Sequence, residues 1–235
     1  MMALVCVATP TIAQDDDFGL WGEVNVEKKL NKKWTLGAGA EYRSRDNVKE
    51  SDRLSFGADA TYKVTDWLKA SAGYTLLCDN VYKLNENATK YADFWGVRHR
   101  FSLSLTASKS LQNLTVSLRE RWQYTYRPER TVMRHHVVTG DEVGEKTYGA
   151  KGKNVWRNRL QLKYKLTKAW RPYVNAESFV AGSGLEKIRY AAGTEYRLSK
   201  QHSFEARYIY QHVYDNESAD EPNRHAIGIG YTYSF

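Results

Sequence analysis

Ile227-Gly228-Ile229-Gly230-Tyr231-Thr232-Tyr233-Ser234-Phe235 alternates large and small residues without a break. Ile227, Ile229, Tyr231, Tyr233 and Phe235 fall on one face, and Gly228, Gly230, Thr232 and Ser234 on the other. A period of two residues belongs to a β-strand, and faces of such different character meet different media. The same pattern recurs upstream. Leu54, Phe56, Ala58, Ala60 and Tyr62 oppose Arg53, Ser55, Gly57, Asp59, Thr61 and Lys63. Phe101, Leu103 and Leu105 oppose Arg98, Arg100, Ser102 and Ser104, and Leu160, Leu162 and Tyr164 oppose Arg157, Arg159, Gln161 and Lys163.

The alternating segments lie at 18–29, 34–45, 53–64, 67–78, 97–108, 114–127, 154–165, 170–181, 186–198, 203–214 and 225–235. Short turns separate some of them and longer polar stretches the others. The short turns share a phrase of basic residue, apolar residue and Asn, Thr or Ser: Lys29-Leu30-Asn31, Lys63-Val64-Thr65, Lys165-Leu166-Thr167 and Arg197-Leu198-Ser199. An aromatic follows each, at Trp34, Trp67, Trp170 and Phe204, and Ser110 to Asn113 makes a fifth, less regular turn. Eleven segments conflict with the even strand number usual in bacterial single-chain barrels. The reading therefore allows about ten to twelve strands, with a missed strand, a surplus one or an unusual first segment as the sources of the conflict.

Periodicity does not say which face is inside. In a soluble sandwich the charged face would be outermost. The inverted arrangement is favoured by a secretory-type start, an aromatic end to the last strand, and Trp and Tyr gathered toward strand ends with Ala and Leu between them. The expected fold is thus all-β, an antiparallel transmembrane β-barrel with short periplasmic turns and longer extracellular loops, in the cell outer membrane. Residues 1–13 read as a signal peptide ending in Thr11-Ile12-Ala13, truncated because it lacks a basic start, and 14–235 as the barrel. No stretch approaches the roughly 18 apolar residues of a spanning helix, so any span is made of strands. Cys6 lies in the signal, which leaves Cys78 without an internal disulfide partner. The net charge of +8 is spread over the strands and forms no nucleic-acid-binding patch. Glu120, between Leu118 and Trp122, breaks the apolar face and marks either the rim or a bulge.

The segments Phe18-Gly19-Leu20-Trp21, Phe94 to Phe101 (FWGVRHRF), Ser117 to Pro128 (SLRERWQYTYRP) and Tyr210-Gln211-His212-Val213-Tyr214 carry a resemblance. They are similar to an uncharacterised, domain-of-unknown-function family of outer-membrane barrels from Bacteroidota, over nearly the whole mature chain. The resemblance implies fold and membrane. It supplies no activity and no catalytic residues.

The charged face is the candidate site. Its basic cluster is Arg43, Arg45, Arg53, Arg98, Arg100, Arg119, Arg121, Arg157 and Arg159, with Arg127 near by; its acids are Glu23, Glu27, Glu41, Asp59, Glu177, Glu195 and Glu205. Charges crowded into a narrow lumen must be paired or hydrated. An Arg–Glu network plugging the barrel is one outcome, and a path for small anionic solutes the other, since rings of Arg favour anions. A lipid-modifying enzyme (hydrolase or acyltransferase) would draw on His99, His135, His136, His212 or His225 with a nearby Ser or carboxylate, and a loop-mediated binding protein is the third class. Asp215, Glu217, Asp220 and Glu221 lack the spacing of a Ca²⁺ loop, and the sequence calls for no metal or other cofactor. The partners expected are outer-membrane lipid and lipopolysaccharide, the insertion machinery through the C-terminal strand, and a small anionic solute.

Overall fold

The computed structural model describes residues 16–182, 184–214 and 222–235. The proposed signal peptide and the acidic residues Asp215, Glu217, Asp220 and Glu221 lie outside the described residues. The strands are β1 (Asp17–Lys29), β2 (Trp34–Arg45), β3 (Glu50–Lys63), β4 (Leu68–Leu84), β5 (Lys90–Leu111), β6 (Leu114–Arg127), β7 (Arg130–His136), β8 (Glu142–Tyr148), β9 (Lys151–Tyr164), β10 (Trp170–Ala181), β11 (Gly184–Arg197), β12 (His202–Val213) and β13 (Arg224–Ser234). Eleven of them form a closed barrel wall, in which β6 pairs with β9 and β1 with β13. The hairpin β7–β8 stands outside the wall and pairs with the upper end of β5 at Lys90–His136 and Tyr91–His135.

The eleven segments expected from the sequence are the eleven wall strands. Several run further at the loop end, β4 and β5 furthest. β4 continues through Asp79 to Leu84 and β5 begins at Lys90, because Tyr82 and Tyr91 stack across the pair and extend it past the polar residues that seemed to end it. The stretch after Arg127, expected as the longest loop, contains the β7–β8 hairpin.

The conflict over parity has a geometric solution. With neighbours antiparallel all the way round, an odd number of strands can close only by making one pair parallel. That pair is β1–β13, from Asp17–Arg224 to Glu27–Ser234. The start of β1 and the loops therefore share one end of the barrel; Phe235 and the turns share the other.

The recurring turn phrase has one conformation. The apolar N–H donates to the carbonyl four residues on: Leu30 to Trp34, Val64 to Leu68, Leu166 to Trp170 and Leu198 to His202. The Asn, Thr or Ser side chain accepts from the backbone of the returning strand, Asn31 Oδ1 from Trp34 at 2.9 Å, Thr65 Oγ1 from Leu68 at 3.0 Å, Thr167 Oγ1 from Trp170 at 2.9 Å and Ser199 Oγ from His202 at 3.0 Å. Such side chains replace a backbone partner in tight turns, which is why the third position is restricted.

The apolar face is on the outside: Leu103 is 55% and Leu160 50% exposed, whereas Trp21 on the opposite face is 3% exposed. Exposed Trp34, Trp67 and Trp170 mark the turn end, and Tyr42, Tyr126 and Trp156 lie toward the loops. An apolar band between aromatic girdles is the surface of a transmembrane barrel. Glu120 lies on this band in regular register with Leu105 and Asn158, so it marks no bulge. The parallel seam predicts a cross-link. In a Cys78→Ser background, Val24→Cys with Tyr231→Cys, which are register partners, should oxidise to a disulfide, whereas Val24→Cys with Ile227→Cys should not.

Candidate functional site: the charged lumen

Alternation turns one residue in two toward the lumen, and its acids act as nodes between arginines on different strands. Glu177 on β10 accepts from Arg119 on β6 at 2.5 Å and from Arg157 on β9 at 2.8 Å, and its side chain is 6% exposed. Asp79 on β4 accepts from Arg53 at 2.5 Å and Arg98 at 2.6 Å, joining β3 and β5. Arg207 on β12 reaches Glu23 on β1 and Glu205 on its own strand. Tyr173 also donates to Glu205. Arg43 grips Glu41 through two bonds of 2.8 Å, Lys163 meets Glu195 at 2.8 Å, and Arg45 bonds Glu50 and the Asn80 carbonyl nearer the loops. The small face of the last strand accommodates these ties. A Cβ at Gly228 would come within 2.8 Å of the Arg207 side chain, and one at Gly193 within 2.6 Å of the Arg207 Cβ.

The lumen differs between its two halves. Toward the loops it is filled. Trp21 lies between the guanidinium groups of Arg43, 3.8 Å from its ring centroid, and Arg189, at 4.8 Å; Arg189 and Arg157 also lie over Phe179, at 5.0 and 4.4 Å. Leu77, Ile209, Gln123 and Gln211 are buried in the same half, where Gln123 accepts from Arg157 at 3.0 Å and Gln211 from Arg189 at 2.8 Å. Toward the turns the inner residues of β2 to β5 are small, among them Gly37, Gly57, Gly73, Ser71 and Ser102, whereas β9 to β12 contribute Lys163, Tyr173, Glu195 and Glu205; Asp59 is exposed with no ion-pair partner among the described residues.

Several lumen arginines make no ion pair with a carboxylate among the described residues. Arg100 donates only to Thr125 Oγ1, at 3.3 Å, and Arg121 to Ser104 Oγ, at 2.8 Å. Arg159 has no ion-pair partner among the described residues, and its buried Nε is unbonded. Arg100 also experiences the charges of Arg53, Arg157, Arg98 and Arg43; Arg121 experiences those of Arg157 and Arg159 against the more distant carboxylates Glu177 and Asp59, and Arg159 that of Arg157 against Glu177 and Glu205. Guanidinium groups so grouped require water or an anion as the compensating partner. Of the expected basic cluster, Arg43, Arg45, Arg53, Arg98, Arg119 and Arg157 are ion-paired, whereas Arg100, Arg121 and Arg159 have no ion-pair partner among the described residues; Arg127 bonds the Gly149 carbonyl at 2.9 Å. The sequence reading missed Asp79, Trp21, Phe179, Arg189 and Arg207. Trp21 and Glu23 share a face, as do Phe179 and Glu177, so strand phase could have found them.

The histidines go elsewhere. His99 meets the Tyr74 hydroxyl at 2.8 Å on the outer face, and His225 lies between Tyr208 and Asp16, the latter at 3.0 Å. His135 contacts the Gly140 carbonyl, His136 accepts from the Val138 N–H, and His212 lies 3.5 Å from the Tyr210 hydroxyl. None of the six histidines bonds a serine hydroxyl among the described residues, and no group of three or more His, Cys, Asp or Glu there could hold a metal ion.

A family model described as "Protein of unknown function (DUF2490)" matches residues 18–233. No curated protein matches the chain. The fold is similar to the beta domain of the Bordetella autotransporter BrkA, with a TM-score of 0.57, 19% identity and coverage of 86% of this chain and 83% of that one. It also resembles the translocator domain of autotransporter NalP from Neisseria meningitidis, with a TM-score of 0.61, 14% identity and coverage of 90% and 82%. The NanC porin superposes with a TM-score of 0.52 at 13% identity, over 94% of this chain and 99% of that one.

Removing one node tests the network. Glu177→Gln leaves Arg119 and Arg157 without their shared carboxylate, and stability in urea titrations of the lipid-embedded barrel should fall by about 3–5 kcal/mol. Arg159→Gln, which breaks no ion pair, should cost far less.

Proposed function

The chain belongs to the DUF2490 family, and for this member we propose a narrow outer-membrane channel that admits small anionic solutes to an arginine-lined lumen. The observation that carries the reading is the group Arg100, Arg121 and Arg159, which face the lumen without an ion-paired carboxylate among the described residues. In low dielectric an uncompensated guanidinium is costly, and a transient anion offsets that cost without a permanent partner. The layer of Trp21, Phe179 and Arg189 is the constriction that such a solute must pass. If that layer never opens, the barrel is structural, and its packing is the observation on that side.

In this reading residues 1–13 are the export signal. The turns are periplasmic, and the β7–β8 hairpin and the other loops are extracellular. The last strand, closing on Phe235, is the segment offered to the insertion machinery, and lipopolysaccharide surrounds the loop-side girdle. A Bacteroidota source is inferred from the segments quoted above.

The test is recording in planar bilayers. The parent should give small, anion-preferring currents. Trp21→Ala should raise conductance several-fold, and Arg100→Ser with Arg121→Ser should lower the anion preference measured from reversal potentials in a salt gradient. Silence from both the parent and Trp21→Ala would establish the structural barrel instead.

A further inference from the structure

The outer face carries one polar row within its apolar band. Glu120 on β6, Asn158 on β9 and Ser178 on β10 are successive register partners across three neighbouring strands. One step toward the loops the same strands present Trp122, Trp156 and Val180; one step toward the turns they present Leu118, Leu160 and Ala176. The Asn158 amide, with its nitrogen turned to the carboxyl, donates to both oxygens of Glu120. Trp122 donates to Asn154 at 3.2 Å, which holds the indole at the upper edge of the band.

A carboxyl group facing hydrocarbon is costly, and one amide does not use all of its acceptor capacity. The depth is informative. Interfacial Trp rings lie at headgroup level, so a row one step below them lies where acyl chains join the headgroup. Ester linkages there offer only acceptors, which a carboxylate cannot use. An amide N–H or a hydroxyl offers donors. We propose that Glu120, Asn158 and Ser178 form a binding site for an outer-leaflet lipid whose acyl linkage carries amide and hydroxyl groups, with Glu120 accepting from them and Asn158 and Ser178 completing the contact. The inference rests on the membrane placement proposed above and is independent of whether the lumen conducts.

Sphingomyelin and phosphatidylcholine share a headgroup and differ in this linkage, so they serve as probes, with lipid A as a third arm. The refolded full chain is inserted into vesicles of equal sphingomyelin and phosphatidylcholine, released in mild detergent, and its retained lipids are measured by native mass spectrometry. The parent should retain sphingomyelin about ten-fold over phosphatidylcholine, and should retain lipid A as well. Glu120→Leu with Asn158→Leu, which makes the band more apolar and keeps the wall hydrogen bonds, should bring the sphingomyelin ratio to about one. Equal retention by the parent, or an unchanged preference in the variant, overturns the site. A dimer of the parent that the variant loses would overturn it in favour of a contact between two copies. Insertion is scored separately by heat-dependent gel mobility; failure to insert overturns the placement and the lipid site together.

Discussion

Charge enclosed in a narrow lumen has to be answered by opposite charge, by water or by a ligand, and the rest of this barrel is organised around that requirement. Asp79 joins arginines from the strands on either side of its own, Glu177 joins arginines from the two strands that follow one another on one side of β10, and Arg207 ties β12 to β1 across β13. These ties take the place of an apolar core. At Arg100, Arg121 and Arg159 no acid is within ion-pair reach among the described residues, and in the function proposed above the compensating partner is mobile.

The apolar residues are then free to face lipid. Closing the wall so that every backbone group in the band is paired imposes the parallel seam, since eleven strands cannot close any other way. The seam places the start of β1 among the loops. The antiparallel register of β12 and β13 puts the Gly-rich inner face of β13 opposite Arg207, so the strand with the least side chain lies beneath one of the widest-reaching arginines.

The wall strands were legible because alternation over ten or more residues survives local exceptions. The turn phrase was legible for a related reason: a side-chain acceptor at a fixed place admits few residue types. Pairing direction leaves no trace in periodicity, so the β1–β13 seam could be met only as an awkward count. β7 and β8 were missed because each is a seven-residue strand, interrupted by a register shift near Met133 and a positive φ at Gly144. Asp79 was missed because the Asp-Asn pair reads as the end of a strand. The lumen face was legible as a set of charges, but which arginines are paired depends on side-chain reach across two strands. That left the stacked layer around Trp21, and the arginines without an ion-paired carboxylate among the described residues, to the structure.

Tryptophan quenching by brominated lipids tests the inside-out arrangement most directly, because the chain places one indole in the lumen and others on the outer face. In single-tryptophan variants reconstituted into vesicles of dibrominated phosphatidylcholine, Trp156 and Trp170 should be strongly quenched. Trp21, shielded by Arg43 and Arg189, should retain the emission it shows in unbrominated vesicles. Quenching of Trp21 to the level of Trp156, or protection of Trp156 and Trp170, would contradict the account.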